Sequence, residues 1–463
     1  MQNNPELRLT TGPVFRGLLG FVLPYLLTSL LQVLYGLVDT YTVGAFADAA
    51  SISAVSVGSK IFSMATVVVI GLSTGATVLI GRVVGEGNHR GAAAAVGNTI
   101  LFFLLFAAVL TPLMLLLTPN LVQWVRTPAE AAPAAGQYVF ICACGLPFVI
   151  AYNLICSILR AIGDSKTPLI FVAVACILNV GLDFLLVGAC AMGAPGAAVA
   201  TAAAQSAAAV CGVLYLLRRR LPFPVSFRDL RCKRPVMGEI LRIGLPVAVQ
   251  DGCLHVCFIV LAAIANLRGV TDSAAVGIVE TIINGVFLVP CAFEAAVVTM
   301  TAQNLGANKP ERIRAAVGYS LVISTAFGAA VALACNLWGG PLTGVFTEDP
   351  AVIAAGASYL RGYSMDTMLV GVSFMISGYL CGTGRAGVVF LQNMLAIVLV
   401  RLPVAYVMSR LFPDTLFFMG LSSPGGTAFS IVFFLIYLAA TGDMLLHDLG
   451  RTAERKEQKN EHS

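Results

Sequence analysis

The amino-acid sequence predicts an all-α polytopic membrane protein with twelve transmembrane helices. Of its 463 residues, 58% are apolar and only 11% are charged, whereas soluble domains have roughly 45–50% apolar and about 25% charged residues. Dividing the apolar residues by the roughly 20 that span a bilayer gives about a dozen spans. The apolar runs are continuous rather than alternating, unlike the strands of a β-barrel. This composition excludes soluble enzymes, nucleic-acid-binding proteins and disordered chains.

Clusters of Gly and Pro with nearby charges separate the predicted spans along the chain. Gly and Ala are frequent within the spans, which permits helices to pack closely in lipid. From these boundaries the spans are predicted at about 14–40, 53–80, 92–118, 134–160, 168–188, 193–217, 238–266, 273–303, 312–338, 351–380, 386–411 and 416–446.

The basic residues predict the orientation of the chain. Of the 28 Lys and Arg residues, 22 lie in or beside the two tails and the even-numbered loops. The positive-inside rule therefore places both termini in the cytoplasm of a multi-pass protein in the plasma (inner) membrane. The basic loop after the sixth span is first a topology signal and second a candidate for binding anionic lipid.

The two halves of the chain are predicted to be repeats. A shift of about 221 residues places Ala54 on Ala275 and Gly163 on Gly384. Six spans in each half give both halves the same orientation, which is typical of a parallel repeat around a central cavity. The predicted domains are an amino-terminal lobe at 1–217, a cytoplasmic basic linker at 218–237, a carboxyl-terminal lobe at 238–446 and a cytoplasmic tail at 447–463.

Ionisable side chains inside apolar spans are candidates for function, because a charge in lipid is costly. The spans contain six acidic residues and two basic ones, and an acid-rich interior suits protons, Na⁺ or cationic cargo. The acids are Asp39, Asp183, Asp251, Glu280, Glu294 and Asp366, and the bases are Lys60 and Arg401.

Polar residues of the first half recur at helical spacing, so several of them share a helix face. They are Gln32, Tyr35 and Asp39 in the first span, Asn153 in the fourth, Asn179 and Asp183 in the fifth, and Thr201 and Gln205 in the sixth. Converging carboxylate, amide and hydroxyl oxygens are ligands for a hard cation such as Na⁺, and two neighbouring carboxylates in low dielectric form a proton site. Hydrogen bonds that only link helices are the structural alternative.

The second half contains a less regular set of polar residues. These are Glu280, Asn284 and Glu294 on one helix face, the i,i+4 pair Asp251 and His255, and Asp366 near the start of the tenth span. His255 either titrates near neutral pH or is a hydrogen-bonded bundle residue, and Asp366 lies at a solvated helix end or in a cavity. Lys60 either pairs with an acid such as Asp39 or extends toward the lipid interface. With Gln32 and Tyr35, these residues are candidates for the lining of a substrate cavity.

The sequence predicts no cofactor. Its twelve cysteines are scattered singly through apolar stretches without C-x-x-C spacing, which is typical of small packing residues. The chain contains no Walker A motif, no H-E-x-x-H and no nucleophile elbow. We therefore expect energy from an ion gradient rather than from ATP.

Four segments resemble the multidrug and toxin extrusion (MATE) transporter family, and the resemblance extends over essentially the whole chain. The segments are LLQVLYGLVDT at 30–40, LRAIGDSKTP at 159–168, AQNLGA at 302–307 and RLPVAY at 401–406. The resemblance implies a two-lobed, twelve-helix antiporter that exports amphipathic, often cationic compounds in exchange for H⁺ or Na⁺.

Within that family, this sequence resembles the DinF-type branch. The resemblance implies ion-coupling residues in the first lobe and a bending proline in the first span. They are Asp39, Asn179, Asp183 and Thr201, and Pro24. The NorM-type branch uses a Glu in the seventh span and an Asp in the tenth, but these positions fall near Leu254 and Val370 in this sequence.

We therefore expect a secondary active antiporter that works by alternating access, as a monomer in the lipid bilayer, on small amphipathic substrates. H⁺ or Na⁺ is expected to bind at Asp39 and Asp183. One alternative is a lipid-linked saccharide flippase of the same superfamily, which needs a more basic cavity. An alternative of a different class is a membrane-embedded hydrolase with Asp39 and Asp183 as a catalytic pair, although we expect the chain not to be an enzyme.

Overall fold

The computed structural model describes residues 9–125, 127–218, 221–223, 225–226, 229–231, 233–443 and 445. Within these residues, all regular secondary structure is helical, and twelve helices are long and apolar enough to cross a membrane. The predicted fold class is thus confirmed. The predicted tail at 447–463 and part of the predicted linker at 218–237 lie outside the described residues.

The twelve spans follow one another with short connections, except where the linker joins the two halves. The first six are α1 (Val14–Phe46), α2 (Ala49–Gly85), α3 (His89–Trp124), α4 (Ala132–Ala161), α5 (Lys166–Ala189) and α6 (Gly193–Arg218). The second six are α7 (Arg234–Asn266), α8 (Val270–Gly306), α9 (Pro310–Gly344), α10 (Pro350–Gly382), α11 (Ala386–Leu411) and α12 (Phe417–Ala440). Two of them contain a π-helical segment, Phe184–Ala189 in α5 and Ala396–Arg401 in α11.

The turns that follow α4 and α10 have the same backbone geometry. Gly163 has a φ of 88° and Gly384 a φ of 87°, a left-handed conformation that glycine adopts without steric penalty. The shift that aligns Ala54 with Ala275 also aligns these two glycines, as the predicted repeat requires. The sequence therefore ends the fourth helix of each half in the same way.

In each half, the fourth helix packs against three others. In the first, α4 packs against α2, α3 and α6, and in the second, α10 packs against α8, α9 and α12. Leu146 and Ile150 of α4 and Tyr359 and Tyr363 of α10 are among the largest fully buried side chains. Other faces carry exposed apolar side chains, such as Leu116 of α3, which suits contact with lipid.

The chain divides into two compact units, and the division falls inside α7, after Gly252. Within the first unit, the beginning of α7 packs closely on α2. A Cβ at Gly75 of α2 would lie 2.5 Å from the carbonyl oxygen of Ile240, so glycine permits this approach. Arg82 of α2 and Glu239 of α7 add an ion pair at 3.2 Å.

Candidate functional site

The structure brings the polar residues of α1 and α5 together in the first unit. The two helices pack along each other, and the carboxyl groups of Asp39 and Asp183 are close enough to interact electrostatically. Asp183 is completely buried, Asn179 is buried and Asp39 is half-buried. Asp183 directly precedes the π-helical segment Phe184–Ala189, a type of distortion that is frequent at functional sites.

Several polar atoms of this cluster have no hydrogen-bond partner within the described part of the chain. They are both carboxylate oxygens of Asp183, both amide atoms of Asn179 and Oδ1 of Asp39. Among the described residues, neither carboxyl group forms an ion pair. Because unsatisfied carboxylate oxygens are costly to bury, this set of oxygens fits an exchangeable proton or a hard metal cation.

Two tyrosines lie beside Asp39. Gln205 Nε2 of α6 donates a hydrogen bond to Tyr35 Oη at 3.4 Å, which joins α6 to α1. Tyr138 of α4 is buried against Gly58 of α2, where a Cβ would lie 2.5 Å from the tyrosine ring. Tyr138 is close enough to Asp39 to interact with it electrostatically. Sequence reasoning missed Tyr138, because periodicity alone does not separate a tyrosine beside a carboxylate from one in the core.

The other predicted residues of the first unit differ in their surroundings. Thr201 is half-buried on α6. Asn153 Nδ2 donates to a backbone carbonyl of its own helix at 2.9 Å. Gln32 and Lys60 are exposed, and within the described residues Lys60 forms no ion pair. The structure therefore does not place Lys60 as the charge partner of Asp39.

Pro24 interrupts the backbone hydrogen bonding of α1. It is buried inside the helix, and without an N–H it cannot donate to the carbonyl of Gly20. Thr28 Oγ1 donates to the Pro24 carbonyl oxygen at 2.8 Å. A missing backbone hydrogen bond permits a helix to bend at that point, and the hinge role of Pro24 stays a prediction.

In the second unit, the structure contains a buried ion pair that sequence reasoning did not predict. Asp366 is completely buried in α10, and its Oδ2 lies 3.4 Å from Nη2 of Arg401 in α11. The same Nη2 donates to Ser423 Oγ of α12 at 2.7 Å. Of the two positions that the sequence left open for Asp366, the structure shows the buried one. The available signal was Arg401 itself, a basic residue in a predicted span.

The two acids of α8 lie in different surroundings. Glu280 is half-buried and interacts electrostatically with Arg401, and its Oε1 has no hydrogen-bond partner within the described residues. Glu294, in contrast, accepts a hydrogen bond from Ser377 Oγ of α10 at 2.7 Å. Asn284 is exposed. The structure therefore places Glu280, and not Glu294, beside the buried ion pair.

The remaining candidates lie on α7, where Asp251 is half-buried and His255 is exposed. Among the described residues, no group of three or more His, Cys, Asp and Glu side chains could hold a metal ion. The eleven cysteines in the described part of the chain form no disulfide bond.

The MatE family matches the chain twice, at residues 24–185 and 246–407. The two matches are equally long, and together they confirm the predicted internal repeat.

Two curated relatives match most of the chain. The probable multidrug resistance protein YpnP of Bacillus subtilis is 26% identical over 398 residues, which are 85% of this chain and 88% of the relative. The probable multidrug resistance protein NorM of Thermotoga maritima is 26% identical over 413 residues, 88% of this chain and 87% of the relative.

Solved structures share the fold over nearly the whole chain. A crystal structure of MATE in complex with MaL6 has a TM-score of 0.89 at 21% identity and covers 95% of this chain and 99% of that one. An outward-facing multidrug resistance MATE family transporter has a TM-score of 0.88 at 21% identity, with the same coverage.

These comparisons agree with the twelve spans and with the duplicated halves. Proteins of the matched family are transporters and not enzymes, which removes the membrane-embedded hydrolase as an alternative. The two family matches also account for most of this multi-pass membrane chain. The chain therefore belongs to the MatE family of multidrug and toxin extrusion transporters.

Proposed function

We propose that this chain is a secondary active antiporter that exports amphipathic, chiefly cationic compounds in exchange for H⁺ or Na⁺. The observation that carries the proposal is the buried cluster of Asp39, Asn179 and Asp183, whose oxygens lack partners within the described residues. The names of the relatives support it, since YpnP and NorM are probable multidrug resistance proteins.

The chemistry of exchange follows from the charge of this cluster. Two ionised carboxyl groups in a low-dielectric surrounding repel each other and attract cations. A proton or Na⁺ bound at Asp39 and Asp183 lowers the negative charge of the pair from two to one, so the affinity of the lobe for a cationic substrate falls. Substrate and coupling ion therefore compete for the same charge, and the two bind in different states of the transport cycle.

The first lobe also contains the features that a conformational change needs. We propose that Pro24 is the hinge of α1 and that ion binding favours bending there, so that the cavity changes its access from one side of the membrane to the other. The missing backbone hydrogen bond at Pro24 and the π-helical segment after Asp183 support this proposal, because both weaken regular helix geometry beside the cluster.

Three further expectations belong to this proposal. The pattern of Asp39, Asn179, Asp183 and Thr201 favours the DinF-type branch. We also propose that the transporter works as a monomer in the plasma (inner) membrane. The distribution of Lys and Arg supports the proposal that both of its termini lie in the cytoplasm.

Transport into everted membrane vesicles tests the proposal. With an imposed ion gradient, wild-type protein should accumulate ethidium, and Asp183→Asn and Asp39→Asn should reduce uptake to the level of vesicles without the protein. Replacement of Na⁺ by choline should abolish uptake for sodium coupling and leave it unchanged for proton coupling.

The matched control is Glu294→Gln, because Glu294 is a half-buried acid of α8 that accepts a hydrogen bond from Ser377. This variant should retain gradient-driven uptake. Undiminished coupled uptake by Asp183→Asn and Asp39→Asn, at equal protein levels, would contradict the proposed coupling site.

A further inference from the structure

The linker between α6 and α7 is held against the first unit by contacts of three of its residues. Phe223 is only 2% exposed and belongs to the hydrophobic core of this unit. The Lys233 backbone N–H donates to Asn98 Oδ1 of α3 at 2.7 Å. A Cβ at Gly97 of α3 would lie 2.5 Å from the carbonyl oxygen of Asp229. This part of the linker therefore lies directly on the beginning of α3.

A cavity of about 260 Å³ lies between α3 and this part of the linker. It is lined by Ala94 of α3 and by Asp229, Arg231 and Lys233 of the linker. Arg231 and Lys233 are exposed, and within the described residues neither of them forms an ion pair. The cavity is smaller than the roughly 300–1,000 Å³ pockets that hold drug-sized ligands, so it suits a small polar group.

The charges around this cavity favour an anion. Two basic side chains and one carboxylate give its lining a net charge of +1 at neutral pH. Asp229 is already bound within the linker, because its Oδ2 accepts hydrogen bonds from the Ser226 backbone N–H at 2.8 Å and from the Ser226 hydroxyl at 3.0 Å. Arg90 is exposed one helical turn before Ala94 on the same face of α3, and it adds a further positive charge nearby. Arg and Lys form charge-assisted hydrogen bonds with phosphate oxygens.

The position of the cavity along α3 corresponds to the level of lipid headgroups. α3 has 36 residues, which span about 54 Å at about 1.5 Å per residue. The hydrocarbon core of a bilayer is only about 30 Å thick, so about eight residues at each end of a centred α3 extend beyond it. Ala94 is the sixth residue of α3 and lies in that extension. This level favours the phosphate of a membrane lipid over a phosphate from solution.

We propose that the cavity binds the phosphodiester headgroup of one anionic phospholipid, such as phosphatidylglycerol. Arg231 and Lys233 bind the phosphate oxygens. The acyl chains extend along α3, where Leu105 lies about three turns beyond Ala94 on the same face and is exposed. The bound lipid fastens the linker to α3, and this role is independent of the proposed coupling site.

Native mass spectrometry of the full-length protein tests the proposal, because it counts the lipids that stay bound during titration. Wild type should bind one phosphatidylglycerol more tightly than any phosphatidylcholine. The double variant Arg231→Gln with Lys233→Gln should bind it about 30-fold more weakly, since each basic side chain near an anionic lipid contributes a factor of about five. The matched control is Arg16→Gln with Lys166→Gln, which also removes one exposed Arg and one exposed Lys. These two residues lie on the same side of the membrane as the linker, and their loss should leave the affinity unchanged.

Two further variants separate the cavity from general surface charge. Asp229→Asn removes the negative charge of the lining and should strengthen phosphatidylglycerol binding about fivefold. A misfolded variant cannot show this gain. Ala94→Leu fills part of the cavity without a change of charge and should weaken the binding. Unchanged affinity in both variants would show that the lipid binds to surface charge alone, and would overturn the cavity as the site.

A competition experiment distinguishes the two sources of phosphate. Glycerol phosphate and inorganic phosphate have the anionic group without acyl chains, and neither should displace phosphatidylglycerol at equal concentration. Displacement by either of them would overturn the assignment to a lipid. Equal affinity of wild type and the Arg231→Gln, Lys233→Gln variant for phosphatidylglycerol would overturn the site itself.

Discussion

The two halves of this transporter have the same helices but treat their buried acids in opposite ways. In the first, Asp39 and Asp183 lie together with unsatisfied oxygens and, among the described residues, form no ion pair. In the second, Asp366 forms an ion pair with Arg401 at 3.4 Å. The comparison teaches that the repeat preserves the helices, whereas the buried acids and their partners are particular to each half.

The scaffold itself is closely matched in the two halves. Tyr138 of α4 and Tyr359 of α10 occupy equivalent positions of the repeat, and both are buried in the fourth helix of their half. Tyr138 lies near Asp39, and Tyr359 lies near Glu280 and Arg401. The same aromatic position therefore lies beside a charged cluster in each half, although the charges come from different helices.

The largest expected effect comes from breaking the ion pair of the second half. Arg401→Met leaves Asp366 buried without its partner and should lower the free energy of unfolding by about 3–5 kcal/mol. Asp183→Asn in the first half removes a carboxyl group that has no ion pair within the described residues, so it should change stability by about 1 kcal/mol or less. Unfolding by SDS titration in mixed micelles measures both values.

The double variant Arg401→Met with Asp366→Leu is the control for this prediction. It replaces the pair by apolar side chains and should recover most of the lost stability, because no charge is left buried alone. Equal destabilisation by Asp183→Asn and Arg401→Met would show that the two halves do not differ in this respect.

A second difference lies at the helix corners. In the second half, Arg268 after α7 binds Asp272 at 2.6 Å. Its guanidinium also donates to the carbonyl oxygens of Ser409 in the last turn of α11, at 2.8 Å, and of Phe412 in the connection to α12, at 3.1 Å. The corresponding corner of the first half has an edge-to-face contact between Phe46 and Phe184, with ring centroids 6.1 Å apart. Hydrogen bonds and an ion pair therefore stabilise this corner in the second half, and an aromatic contact stabilises the corresponding corner in the first half.

Arg268→Ala should therefore destabilise the protein by about 2–4 kcal/mol, because the ion pair with Asp272 and several charge-assisted hydrogen bonds to backbone carbonyl groups are lost together. The control is Arg410→Ala, since Arg410 is exposed and its guanidinium carbon lies 5.6 Å from the centre of the Tyr406 ring. Its removal should change stability by about 1 kcal/mol or less. Comparable losses of stability in the two variants would show that the hydrogen bonds of Arg268 do not stabilise the second half.

Much of the architecture could be predicted from the sequence, because span length and charge placement are local signals. Apolar run lengths predicted twelve spans, and the alignment of the chain with itself predicted the repeat, both now confirmed. The pairing of Asp366 with Arg401 could not be predicted, because it depends on how α10, α11 and α12 pack. The π-helical segment that ends at Arg401 also rotates the following side chains away from the face that regular helical spacing predicts.

A third prediction concerns the contact that places Tyr138 beside Asp39. Gly58→Ala adds a Cβ at 2.5 Å from the Tyr138 ring, so the ring or α2 must move, and stability should fall by about 1–3 kcal/mol. Gly36→Ala on α1 is the control, because no heavy atom lies within 4 Å of the added Cβ. If Gly58→Ala is as stable as Gly36→Ala in thermal unfolding, the packing of Tyr138 does not depend on the absence of a side chain at Gly58.

The smallest expected effect is a pH dependence confined to the first half. Asp48 caps the start of α2 and accepts a hydrogen bond from the Ser51 backbone N–H at 2.9 Å, whereas its repeat position is Gly269, with no side-chain cap on α8. The Ser51 hydroxyl and backbone N–H, which both bond the carboxylate, lower the pKa of Asp48 below its ordinary value of 3.8. A lowered pKa stabilises the fold above the ordinary value, and this contribution is lost as the pH falls through the lowered one.

Wild type should therefore have a slightly higher Tm than Asp48→Asn at neutral pH, since a charged cap also interacts favourably with the helix N-terminus. The two Tm values should converge below about pH 4, as the carboxyl group becomes protonated. Asn88 caps α3 by accepting a hydrogen bond from the Gly91 N–H at 2.8 Å. Asn88→Asp should create the same pH dependence at this second cap, which has no titratable group in wild type. A Tm difference between wild type and Asp48→Asn that stays unchanged at acidic pH would mean that the charge of Asp48 contributes nothing to stability. Only the hydrogen-bonding oxygen of Asp48 would then distinguish the start of α2 from the uncapped start of α8 at Gly269.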